Sequence, residues 1–132
     1  MLVLFFLGCA AKSAAPVASG AAGDLSGCSS DMFTPASIPE SQRYYAGVTT
    51  LTAATTSKEK PVEACGVEGQ LAWLMRATCA DGSHPFKDDD TAHDARVGNV
   101  GPGGRCESII DLYEVPCPEK TYEIYMDLYV CD

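Results

Sequence analysis

At the C-terminal end of the chain Tyr122, Ile124, Met126, Leu128 and Val130 alternate with Glu123, Tyr125, Asp127 and Tyr129. A period of two with one apolar side predicts a strand half-buried against a core. The preceding run, Ser108 to Val115, is rich in β-branched and aromatic residues, and Pro116-Cys117-Pro118-Glu119-Lys120 supplies turn residues between the two. Together they predict an antiparallel hairpin. Upstream, Tyr44 to Thr56 is dense in Thr, Tyr and Val and predicts a further strand. Gly66 to Thr78 fits two patterns. Val67, Leu71, Leu74, Met75 and Thr78 make a helical stripe, whereas Val67, Leu71, Trp73, Met75 and Ala77 share one face of a strand with Glu68, Gln70, Arg76 and Thr78 opposite. The alternation favours the strand, although Leu, Ala, Met and Arg are intrinsically good helix formers. Asp90 is placed to cap a short helix running to Ala95, and Gly98 to Gly104 reads as a glycine-heavy loop.

The start of the chain has a different character. Leu2 to Leu7 is an apolar run, followed by Gly8-Cys9-Ala10-Ala11. From Ala10 to Gly27 the residues are nearly all Ala, Ser, Gly, Val and Pro, with Leu25 the one large apolar side chain, too few to make a core. Such a segment predicts a tether, with a root-mean-square span on the order of 23 Å if it behaves as a flexible coil. The apolar run falls short of the ~20 residues that a membrane-crossing helix needs.

Gly8 and Cys9, placed directly after an apolar stretch, resemble the lipobox of bacterial lipoproteins. That resemblance implies a signal cleaved before Cys9, acyl chains on Cys9, and Ala10 as an outer-membrane sorting cue. The membrane would then be a partner through the acyl anchor, since each buried methylene contributes about 0.8 kcal/mol. Phe6 and Leu7 are bulkier than the usual lipobox residues, and no Lys or Arg precedes the run. A missing basic segment is what a signal shows when its true start lies upstream of Met1.

The chain carries seven cysteines. With Cys9 given to lipid as the resemblance implies, Cys28, Cys65, Cys79, Cys106, Cys117 and Cys131 remain, an even set. No two are separated by only two residues, so the close pairs typical of zinc sites are missing and disulfides are the better reading. Disulfides require an oxidising compartment, in agreement with export. A strand advances about 3.3 Å per residue while a bridge needs α-carbons about 5.5 Å apart. Pairing along one straight element, Cys106 to Cys117 or Cys65 to Cys79, is therefore disfavoured. Cys106 with Cys131, at the open end of the hairpin, is the preferred pair, even though the register with Ile110 opposite Met126 sets Cys106 against Val130 and demands a bulge. The other four would join as Cys28 to Cys65 with Cys79 to Cys117, or as Cys28 to Cys79 with Cys65 to Cys117.

The formal net charge of −9 and pI near 4.5 argue against nucleic acid and against anionic lipid surfaces. Candidate chemistry is sparse. Lys87-Asp88-Asp89-Asp90 with His84, His93 and Asp94 gathers acids and imidazoles, but lacks the alternate spacing and mid-loop glycine of a calcium loop, so a solvated acidic loop is expected. His84 and His93 are not one helical turn apart, and no metal or other cofactor is expected there. Ser83 lacks the strand-turn-helix setting of a nucleophile. Gly98 to Arg105 lacks the Lys and Ser or Thr of a phosphate loop. The polar side of the last strand is the more promising surface: Tyr125, Asp127 and Tyr129 would project together, with Tyr113 and Asp111 alongside. Tyrosines beside carboxylates suit a protein, peptide or glycan, because the ring stacks while its hydroxyl hydrogen-bonds.

The expectation is thus an α+β fold: a small, mainly antiparallel β-sheet with a C-terminal hairpin and one or two short helices, stapled by disulfides. Residues 1–9 form the truncated signal, 10–27 the tether and 28–132 a single domain. The expected role is a non-enzymatic binding or structural module of the cell envelope, lipid-anchored, on the outer membrane facing periplasm or exterior. The alternative is a small secreted or periplasmic hydrolase using His and Asp residues of the 84–94 loop.

Overall fold

The computed structural model describes residues 27–31 and 34–132. Cys9, the signal and nearly all of the tether lie outside the described residues. Strands β1 (Ala36–Ser37), β2 (Val62–Glu63), β3 (Arg96–Gly103), β4 (Ser108–Pro116), β5 (Thr121–Asp127) and β6 (Val130–Cys131) accompany helices α1 (Gly66–Arg76) and α2 (Asp89–Asp94). Four strands form one sheet in the order β2-β5-β4-β3, and β1 pairs with β6 in a second. This is the disulfide-stapled α+β fold expected.

The hairpin β4–β5 is its backbone. Ile110 pairs with Asp127 and the ladder runs antiparallel to Pro116 opposite Thr121. Opposed residues share a face, so Asp111, Tyr113 and Val115 lie with Met126, Ile124 and Tyr122, and all six are buried. Trp73, Leu74 and Ala77 from α1 and its C-terminal end, Phe86, and Ala92 from α2 close over that face to make the main core. The Trp73 indole N–H donates to Tyr45 O at 2.9 Å, which satisfies the polar atom of a ring otherwise buried in that core.

Four expectations are corrected. Residues 66–76 are helix, because burying Gln70, Trp73, Leu74 and Ala77 at intervals of three and four covers the hairpin, whereas a strand would place Trp73 and Leu74 on opposite faces. Residues 44–56 form turns and a 3-10 turn (Leu51–Ala53) in place of a strand. Tyr45 reverses the chain there with φ of 58°, and only Thr50 makes a bridge, to Thr78. Residues 98–103 extend the edge strand β3 instead of looping freely. Their glycines, Gly98 and Gly101, sit at positive φ where the register with β4 shifts, and Pro102 is tolerated at an edge. The short helix α2 is capped by Asp88, not Asp90: the Asp88 carboxylate accepts the Thr91 N–H at 2.8 Å.

The three disulfides are Cys28–Cys106, Cys65–Cys131 and Cys79–Cys117. The last agrees with one of the two sets left open, and the Cys106–Cys131 pairing is overturned. The register is slipped by one residue from the expected one, so Asp111 rather than Ile110 faces Met126. Continued straight, that slip would bring Cys106 opposite Cys131. β5 ends first, however: Asp127 Oδ1 accepts the Tyr129 N–H at 2.9 Å, the chain turns, and β6 runs parallel to β1 beside the start of α1.

Candidate functional site

Gln70 carries the site. Its position one turn before Trp73 and Leu74 puts an amide on the buried stripe of α1, where it is 1% exposed. A buried amide without partners costs several kcal/mol, so its surroundings must complete it. Gln70 Nε2 donates to Asp111 Oδ2 at 3.1 Å, and the Tyr113 hydroxyl donates to Gln70 Oε1 at 3.1 Å. Arg96 Nη2 donates to the other oxygen, Asp111 Oδ1, at 2.9 Å. Arg96 pairs with Tyr113 in the β3–β4 ladder and shares its face, and the bulge beyond Arg96 leaves the guanidinium free to reach along that face to Asp111.

These groups form the wall of a cavity of about 210 Å3, lined also by Val67, His93 and Leu128. α2 brings His93 to it from its last turn, and Val67, 48% exposed, flanks the rim from the first turn of α1. Burial pushes the Tyr113 hydroxyl above its ordinary range, and Asp111 adds to that against the opposing pull of Arg96. The hydrogen bond to Asp111 raises Arg96 in turn. The chain therefore holds a neutral phenol and a fixed guanidinium at one place.

The structure does not assemble the expected tyrosine face. Tyr113, opposite Ile124, is turned to the core and only its hydroxyl belongs to the cavity wall. Tyr125 is half-buried on the reverse face, its backbone N–H donating to Thr56 Oγ1 at 3.0 Å. Asp127 is fully buried, and Tyr129 lies beyond the end of β5, bridging Cys65. The 84–94 loop is likewise not a single constellation. His84 places Nδ1 3.1 Å from Ala77 O, Ser83 donates its hydroxyl to Asp81, and Asp88 is committed to its cap, while His93 alone joins the cavity.

Gln70, Arg96, Val67 and Leu128 were not singled out from sequence. The available signal was a polar residue on the buried stripe of a helix, which the strand reading of 66–78 hid. Among the described residues one further group, Cys79, Cys117 and Glu119, brings ligand-type atoms within 4.8 Å of one another. Its two sulfurs are bonded to each other, so it is not a metal site. The chain matches no family model, no curated protein and no solved structure.

Proposed function

We propose that this protein is a lipid-anchored module of the bacterial cell envelope that binds a partner rather than turning over a substrate. The membrane contact is the acyl group on Cys9, on the outer membrane facing periplasm or exterior, and the tether lets the folded part sit near the lipid surface. Three disulfides support an oxidising compartment. Partner recognition belongs to the cavity between α1, α2 and the sheet, not to a tyrosine face.

The observation that carries this reading is the completed hydrogen-bond network of Gln70, Asp111, Tyr113 and Arg96. A network that fixes every member is a pre-organised binding wall. Labelling with palmitate in the native host tests the anchor. Incorporation that disappears with Cys9→Ala is expected, and equal labelling of both forms or of neither would remove the anchoring part of the proposal. Cross-linking from a photoreactive residue at position 67 in intact envelopes tests the binding part. An adduct competed away when the cavity is filled by Val67-adjacent bulk, as in Leu128→Trp, supports it, and an adduct pattern indifferent to Leu128→Trp counts against it.

A further inference from the structure

We infer that the α1–α2 cavity takes a carboxylate attached to a compact apolar group, of the kind presented by an acylated amino acid or the C-terminal residue of a peptide. This inference rests on the binding reading above and names its ligand class. The argument is one of donors and acceptors. On the wall, both Asp111 oxygens are occupied, Oδ2 by Gln70 and Oδ1 by Arg96, and Gln70 Oε1 is occupied by the Tyr113 hydroxyl. Each of these acceptors already holds a donor and belongs to a buried residue, Asp111 at 5% and Gln70 at 1% exposure, so they offer little to a ligand. What remains toward the opening is chiefly a donor set, the other guanidinium nitrogens of Arg96, whose side chain is 38% exposed and makes no second hydrogen bond among the described residues, with the exposed imidazole of His93, which can donate or accept, beside it.

A site with surplus donors selects an acceptor-rich group, and a guanidinium with its planar edge open suits a carboxylate. Asp111 holds Arg96 in place, so little ordering of that long side chain is left for the ligand to impose. The rest of the lining is apolar. Val67 is one of two large hydrophobic residues exposed among the described residues, and Leu128 is half-buried across from it. An exposed valine at the rim of a polar site gives a small aliphatic group somewhere to lie. At about 210 Å3 the cavity is smaller than the ~300 Å3 at which drug-sized pockets begin, so it admits one residue-sized group and not a nucleotide or an oligosaccharide. With a net charge of −9 the molecule does not attract anions at a distance, and selectivity must come from the local donors.

The test uses the full chain carrying Cys9→Ser, labelled with nitrogen-15, titrated with N-acetylvaline and separately with N-acetylvalinamide. The acid is expected to bind with a dissociation constant in the ~1 mM range and to shift the amide resonances of Val67, Gln70, His93 and Arg96. The amide should bind at least about tenfold more weakly, because it offers the guanidinium no charge. Arg96→Gln should weaken the acid by about tenfold or more. Val67→Glu, on the exposed rim where folding is indifferent, should do the same by repulsion and loss of the apolar contact. Equal shifts with acid and amide, or no shift in these residues at about 50 mM acid, would overturn the ligand class. Such a failure alongside Cys9-dependent palmitate labelling and competed cross-links at position 67 would leave the envelope-module reading standing, so the two fail separately.

Discussion

Asp127 is the residue whose charge the fold accommodates least well. It is fully buried, its Oδ1 accepts the Tyr129 N–H, and its Oδ2 has no hydrogen-bond partner. Burial pushes its carboxyl from the usual 3.8 up to about 6, helped by the negative neighbours Glu63 and Asp111 and opposed chiefly by the Tyr129 amide. The folded state then holds a proton that the unfolded chain releases, so stability falls as pH rises from about 4 to about 6 and stays lowered above that. The rise corresponds to roughly 3 kcal/mol at neutral pH. Asp127→Asn should stabilise the fold at pH 7 by about 1 kcal/mol or more and flatten the stability profile between pH 4 and pH 6. Denaturant titrations at several pH values check both, and an unchanged profile would contradict the burial of an unpaired acid.

Glu63 is a second buried acid of the same region, and it is paired. Arg105 grips both of its oxygens, Nε to Oε2 at 2.9 Å and Nη2 to Oε1 at 2.7 Å, and the guanidinium lies 4.0 Å from the centre of the Tyr44 ring. The Tyr44 N–H adds a third donor. Arg105→Lys keeps the charge but cannot reproduce the fork or the stacking. It should cost about 2–3 kcal/mol in chemical denaturation, less than the ~3–5 kcal/mol of a buried pair broken outright because a cation is kept. A change below about 0.5 kcal/mol, typical of surface pairs, would show that the pair contributes only as an exposed one does.

At the scale of elements, what was legible in sequence is what depends on one local period. The hairpin could be read from the alternation of Tyr122, Ile124 and Met126 with Glu123 and Tyr125, and β4, β5 and their turn stand where that pattern puts them. Two features escaped because they are decided by distant partners. The disulfide pairing hangs on the end of β5, where the Asp127 carboxylate accepts the Tyr129 N–H and the chain turns, and no pattern of apolar positions reports that bond. Helix α1 escaped because its stripe includes Gln70, polar by type and buried only because Asp111 and Tyr113 wait across the interface. The same blindness hid the cavity. In β3 the glycines that suggest a loop are needed for approach: a Cβ on Gly103 would collide with the backbone carbonyl of Lys58. For α2 the cap is the testable part. Asp88→Ala removes the acceptor for the Thr91 N–H and Oγ1–H and should lower the melting temperature, with Asp90→Ala near neutral.

The whole molecule is held by bridges that overlap along the chain. Cys28–Cys106 ties the N-terminal segment to the β3–β4 turn, Cys65–Cys131 ties the start of α1 to β6, and Cys79–Cys117 ties the segment after α1 to the hairpin turn. Chain entropy alone ranks Cys28–Cys106, with a separation of 78, above Cys79–Cys117, with 38, by only about 0.6 kcal/mol. Cys79, however, is buried in the main core, and putting a hydroxyl there costs about 1–3 kcal/mol more. The Cys79→Ser, Cys117→Ser double variant should therefore melt below the Cys28→Ser, Cys106→Ser variant, the reverse of the order loop length predicts.

The account as a whole depends on six cysteines closing this fold outside a reducing compartment. Peptide mapping of the protein purified from its native host, digested without reduction and with free thiols blocked, measures that directly. Linked peptides joining Cys28 to Cys106, Cys65 to Cys131 and Cys79 to Cys117 are the predicted result, and a Cys106–Cys131 peptide or blocked thiols at these positions would contradict it.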